Sequence, residues 1–225
     1  MVVVETLASL DAAVAACAAR IVAALRAALA EREAVTFMVS GGQVPGRVLP
    51  LVARAGLDWS RIAVVSSDER VVPPEHPDSN EGTARKALAG AAGPIAYHGI
   101  DAALPLDAAV AAYETRIRAL PWPPAVAYLG IGTDAHVASL FPDRPEIMGD
   151  AFVAALPETA PHKHARITFG IPAIRDCGEI VLVVNGPQKN AALAAAMAPE
   201  ADPARTPITR LLRVAGERVR LYVCP

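Results

Sequence analysis

Several times along this chain a short run of apolar, mostly β-branched residues stops abruptly in glycine or polar residues. Val35-Thr-Phe-Met-Val39 ends in Ser40-Gly-Gly, and Ile62-Ala-Val-Val65 runs into Ser66-Ser-Asp-Glu-Arg70. Ala125-Val-Ala-Tyr-Leu129 runs into Gly130-Ile-Gly-Thr-Asp134, and Glu179-Ile-Val-Leu-Val-Val184 passes through Asn185-Gly-Pro into an alanine-rich helical stretch from Lys189 to Met197. Runs of this kind, apolar on both faces, read as buried strands. Strands alternating with helical segments imply a three-layer α/β fold: a mainly parallel, Rossmann-like sheet with helices on both faces. Ligands of such sheets bind beyond the carboxyl ends of the strands, where these glycines and polar residues fall. Arg166-Ile-Thr-Phe169 and Val219-Arg-Leu-Tyr-Val223 read as further strands.

Val14, Cys17, Ile21, Val22, Leu25 and Leu29 recur at three- and four-residue steps, so Asp11 to Ala30 is expected to be a docked amphipathic helix. Arg20 and Arg26 argue against that helix crossing a bilayer. Pro45 suits the first turn of the helix after Ser40-Gly-Gly, whereas Pro50 lies deeper and predicts a late start or a kink. Two proline-bearing stretches, Val71 to Asn80 and Phe141 to Lys163, are expected to be long ordered loops. Residues 1–225 are read as one domain.

Hydrophobic residues make up 53% of the chain, enough to bury a sizeable core. A formal net charge of -2 leaves no basic excess for a polyanionic backbone, so nucleic acid is not an expected partner. Cys17, Cys177 and Cys224 show neither paired spacing nor a zinc pattern, which fits a reducing, cytoplasmic setting. The first residues, Met1-Val-Val-Val-Glu-Thr, do not read as a signal peptide, and no membrane partner is expected. Oligomeric state stays open between a monomer and a weak dimer.

Gly41 and Gly42, between strand and helix, allow backbone N–H groups to approach an anion. Asp68-Glu-Arg70 combines carboxylates with a guanidinium suited to bidentate phosphate recognition, although an ordinary surface ion pair uses the same residues. Asp78-Ser-Asn80 suits the cap of a helix beginning near Glu81. His136 follows a glycine-rich strand exit and stands two residues from Asp134, so an imidazole able to exchange protons near neutral pH has a carboxylate to orient it. His76, His98, His162 and His164 lack this setting and are read as structural. Lys189, one of only three lysines with Lys86 and Lys163, opens a helix after a strand, where a phosphate would bind.

In this order the segments resemble the 6-phosphogluconolactonase family, grouped with the glucosamine-6-phosphate deaminases. The resemblance rests on Ser40-Gly-Gly, Asp68-Glu-Arg70, Asp78-Ser-Asn80, Gly130-x-Gly-x-Asp-Ala-His136, Ser139-Leu-Phe-Pro142, Arg166-Ile-Thr and Gly186-x-x-Lys189. It implies hydrolysis of a phosphorylated sugar lactone with His136 as general base, and no metal or cofactor. It also implies that Arg70, Arg166 and Lys189 hold the phosphate, that Gly41 and Gly42 line the reacting end, and that Gln43, Asp68 and Asn80 complete the substrate contacts. Three residues depart from the family pattern. Ala135 stands where a glycine is usual, and Gln43 and Val44 replace a serine and a threonine. If position 135 needs a positive φ, its alanine costs roughly 1 kcal/mol or more.

Two other readings remain at this level. An amino-sugar-phosphate deaminase would use a carboxylate such as Asp68 to move a proton between carbons. A non-catalytic sugar-phosphate binding protein would keep the pocket while Ala135 spoiled the geometry of His136.

Overall fold

The computed structural model describes residues 1–142, 144, 149–158 and 163–225. Its first half contains β1 (Val3–Thr6), α1 (Leu10–Glu31), β2 (Val35–Val39), α2 (Pro45–Ala53), β3 (Ile62–Ser66), β4 (Asp68–Arg70), α3 (Asn80–Ala87), β5 (Ala96–Tyr97) and α4 (Leu106–Arg118). The second contains β6 (Val126–Leu129), β7 (Val153–Leu156), β8 (Arg166–Phe169), α5 (Ile171–Arg175), β9 (Glu179–Asn185), α6 (Pro187–Met197), α7 (Pro207–Ala215) and β10 (Val219–Cys224).

Seven strands form a sheet in the order β1-β10-β9-β6-β2-β3-β5, every neighbouring pair parallel. Side chains alternate across it with period two. Val35, Phe37 and Val39 of β2 join one core with Val14, Cys17, Ile21, Val22 and Leu25 of α1 and Val48, Leu49 and Val52 of α2. Met38, between them, enters the opposite core with Tyr113 and Ile117 of α4, Leu193 of α6 and Ile208, Leu211 and Leu212 of α7. The expected three layers are thus present, and each apolar run is explained by burial on both faces.

Chain order in this sheet runs one way from β2 through β3 to β5, and the other way from β6 through β9 to β10. The reversal between β2 and β6 opens a crevice at the carboxyl ends of the strands. Gly41 and Gly42 leave β2 there, and Gly130 and Gly132 leave β6 there.

The structure corrects the sequence reading in several places. Arg166–Phe169 is a strand, but not of the large sheet: β8 is the middle strand of a second, antiparallel sheet ordered β4-β8-β7. Asp68-Glu-Arg70, read as a polar strand exit, is itself the edge strand β4 of that sheet. The stretch Phe141 to Lys163 is not simply a loop, because β7 lies within it and buries Val153 and Leu156 against the core. Part of that stretch, including His162, falls outside the described residues. Helix α2 begins at Pro45 without a late start and continues through Pro50.

Helix α1 is long and apolar enough to cross a bilayer by length and composition. Its apolar stripe is spent on the sheet instead, and Arg20 donates to Glu179 at 2.6 Å. Ser9 caps the start of α1 by accepting from Ala12 N at 3.2 Å.

Candidate active site

At the β2/β6 crevice lies a cleft of about 370 Å³ lined mainly by polar and glycine residues from six segments. Ser40, Gly41 and Gly42 come from the end of β2, Asp68 and Arg70 from β4, Asn80 from the start of α3, Gly130, Gly132, Thr133 and His136 from the loop after β6, Arg166 from β8 and Lys189 from α6. Eight of the ten residues singled out in the sequence therefore meet here. The other two adjoin it. Asp134 stands behind His136, and Gln43 lines a neighbouring cavity of about 260 Å³ that shares Gly41, Gly42, Gly130 and Lys189 with the cleft.

His136 Nδ1 lies 2.6 Å from Asp134 Oδ1, and the same oxygen accepts the His136 backbone N–H at 3.2 Å. A carboxylate accepts, so when the ring is neutral the proton sits on Nδ1 and Nε2 is left with its lone pair. Burial works against the Asp134 anion, but the His136 charge and hydrogen bonds outweigh it and hold the carboxyl below its ordinary value. Because that pKa is depressed by folding, the pair's contribution is complete above the ordinary carboxylate range. It is lost as the pH falls through the depressed value.

The backbone explains why the pair can form. Ala135 has φ 68° and Ala138 φ 52°, so the chain turns sharply on either side of the histidine. Gly132 leaves space that no other residue would: a Cβ there would overlap His136 Nδ1 and Asp134 Oδ1. Position 135 does need the left-handed region, and alanine occupies it at a cost while the histidine–aspartate contact stays intact. Ala135→Gly is therefore expected to raise stability by about 1 kcal/mol. For a chain of this size, that is a melting temperature about 2–4 °C higher by calorimetry. An unchanged or lower melting temperature would contradict the strain.

Across the cleft, Arg70 and Arg166 are directly paired residues of β4 and β8. Like charges at such positions repel. Burial and the nearby Arg70 both pull the Arg166 pKa down. Arg166 also approaches Ser139 Oγ at 3.3 Å and Asp68 Oδ2 at 3.7 Å, and Arg70 Nη1 donates to Asp78 O at 2.7 Å and Asn80 Oδ1 at 3.0 Å. Two guanidiniums held together at the wall of a cleft are a natural seat for an anion.

A family profile described as glucosamine-6-phosphate isomerases/6-phosphogluconolactonase matches residues 8–220. The chain belongs to this family. A 6-phosphogluconolactonase of Pseudomonas aeruginosa is 37% identical over 203 residues, spanning 87% of this chain and 85% of that protein. One from Pseudomonas putida is 38% identical over 208 residues, spanning 89% of this chain and 84% of that protein. Among solved structures, a 6-phosphogluconolactonase from Thermotoga maritima superposes with a TM-score of 0.88 at 25% identity, covering all of both chains.

Sequence reasoning missed the residue that joins the family's Asp-Glu-Arg and Asp-Ser-Asn segments. Glu69 Oε1 accepts from Arg70 N and Asn80 N, both at 2.8 Å, and Oε2 from Ser79 Oγ at 3.1 Å and Glu81 N at 2.6 Å. Burial pushes the Glu69 pKa up against the pull of those backbone N–H groups. Its carboxylate seats the N-terminus of α3, where Ser79 accepts from Gly82 N at 3.0 Å as expected of a cap. Asn80 is fixed in turn by donating to Asp68 O at 2.7 Å, and a Cβ on Gly41 would overlap its Oδ1. Asp68 is 8% exposed, accepting from Ser139 Oγ at 2.6 Å and Ser67 Oγ at 3.1 Å.

Proposed function

We propose that this chain hydrolyses 6-phospho-D-glucono-1,5-lactone to 6-phospho-D-gluconate, acting as a carboxylic ester hydrolase through one domain of residues 1–225. The observation that carries this reading is a histidine, oriented by Asp134, sharing one cleft with Arg70, Arg166 and Lys189. The names of the relatives, all lactonases among those given above, support the same reaction.

In this reading the substrate phosphate rests against Arg70, Arg166 and Lys189, which places the lactone ring over the glycine-lined end. His136 Nε2 removes a proton from water as the water oxygen bonds to C1. Backbone N–H groups near Gly41 and Gly42 stabilise the tetrahedral oxyanion. As the bond from C1 to the ring oxygen breaks, the imidazolium returns its proton to that oxygen, leaving an open-chain acid. These steps use only side chains and backbone of this chain.

The deaminase alternative is less well supported, because both Asp68 oxygens are already engaged by Ser67 and Ser139. The binding-protein alternative loses its motive, since Ala135 leaves the His136–Asp134 contact in place. A phosphorylated small molecule is the proposed ligand, with no role for nucleic acid or membrane. Cys17, Cys177 and Cys224, all buried free thiols, fit a cytoplasmic place in the oxidative pentose phosphate pathway. The test is a rate assay on freshly made lactone against its spontaneous opening, run beside ammonia release from glucosamine 6-phosphate. Fast lactone opening without ammonia is expected. Ammonia release, or ligand binding with lactone opening no faster than buffer, would reject the proposal.

A further inference from the structure

Beside the cleft, but outside its lining, stand three side chains that the lactone chemistry does not use: His76, Asp78 and His164. Two come from the proline-bearing segment that leads into α3, and the third from just before β8. Their ligand atoms all lie within 4.8 Å of one another. His164 Nε2 is 3.0 Å from Asp78 Oδ2, His76 Nδ1 accepts from Asp78 N at 3.1 Å, and the two imidazole rings meet edge to face with centroids 5.1 Å apart. Asp78 and His164 side chains are 52% and 28% exposed, so an ion can reach them from solvent.

We propose that His76, Asp78 and His164 form a three-ligand site for a divalent ion of the zinc class, separate from the reacting centre. Two imidazoles and one carboxylate suit zinc, cobalt or nickel, whereas calcium and magnesium favour all-oxygen sets. With metal–ligand bonds of about 2.0–2.1 Å, tetrahedral ligand atoms sit about 3.4 Å apart, so no pair of the three has to close by more than about 1.4 Å. Water completes the coordination. The consequence is mechanical. Asp78 O receives the Arg70 guanidinium, Asn80 follows two residues later, and Arg166 lies two residues beyond His164. An ion here fastens the segment carrying Asp78 and Asn80 to the strand carrying Arg166, stiffening the cationic wall of the cleft.

The site does not rest on the lactonase reading and is tested without activity. Chelator-stripped protein is titrated with zinc by calorimetry and with cobalt by visible absorption. One saturable site is expected. At a hundredfold excess of zinc over its Kd the melting temperature rises by about 5–10 °C. His76→Ala and His164→Ala each lower affinity at least tenfold, while His136→Ala leaves it unchanged. X-ray absorption of the zinc-loaded wild-type protein, which needs no variant to fold, is expected to show two imidazole ligands. No saturable binding, binding that survives loss of His76 and His164, binding lost with His136, or one imidazole in the absorption spectrum would each overturn the site.

Discussion

His136→Ala is expected to lower kcat for lactone opening by about 10²–10⁴-fold, the usual loss for an acid–base group, while leaving 6-phosphogluconate affinity within about threefold of wild type. The division follows from where the imidazole stands. It lines the same cleft as the cationic wall, yet its Nδ1 is committed to Asp134 and it shares no hydrogen bond with Arg70, Arg166 or Lys189 among the described residues. On the proposed reading, removing it takes away proton transfer and leaves the proposed phosphate contacts in place. Its ring also meets Phe141 at a centroid distance of 4.9 Å, so some packing is lost, and a truncation that merely loosened the loop would raise KM as well. His136→Gln separates the two effects, since it keeps a polar side chain of similar reach but no base. Stopped-flow rates on fresh lactone, with calorimetric titration of product, give both quantities. A kcat loss below tenfold would remove His136 from the base role.

How much of this was legible in the sequence depends on what each residue needs from its surroundings. The parallel strands were readable because burial on both faces favours apolar runs: residues 180–184 form one without a break, and Val35–Val39 is broken only by Thr36. The docked face of α1 was readable for the same reason, with only Leu29 less buried than its spacing suggests. β1 escaped notice because it is exposed along its whole length and carries no burial signal. β4 was hidden differently. Three polar residues give no apolar alternation, yet the strand's period of two is what sorts them. Asp68 and Arg70 line the cleft, and Glu69, between them, turns to the N-terminus of α3. Read as a loop, the motif offered three equivalent polar side chains; as a strand, it assigns two to the cleft and one to the scaffold. The small sheet that contains β4 is held by long-range pairing with β8, and no local pattern announces such a partner. Ala135 shows the reverse case. Its substitution for glycine raised the question of a positive φ, and only the backbone answered it.

That pairing also sets the expected result for Arg70→Ala: affinity for 6-phosphogluconate falls about 10–100-fold, and affinity for unphosphorylated gluconate hardly changes. One hydrogen bond to a charged group contributes about 1.5–3 kcal/mol, which converts to this range. Selectivity for the phosphorylated ligand is expected because Arg70 and Arg166 oppose each other across β4 and β8, and their mutual repulsion would be relieved by a dianion lying between the charges. Gluconate brings no such charge to that end of the cleft, so it has little to lose. Arg70→Lys is expected to fall between, keeping the charge but losing the fork that also holds Asp78 O and Asn80 Oδ1. Because Asn80 is pinned independently by Asp68 O, the cleft should keep its shape in both variants. Titrations of the two ligands at two salt concentrations decide the matter. The phosphorylated ligand should lose affinity with salt in the wild type and less so in Arg70→Ala. Equal weakening of both ligands would mean that Arg70 shapes the wall rather than binding phosphate.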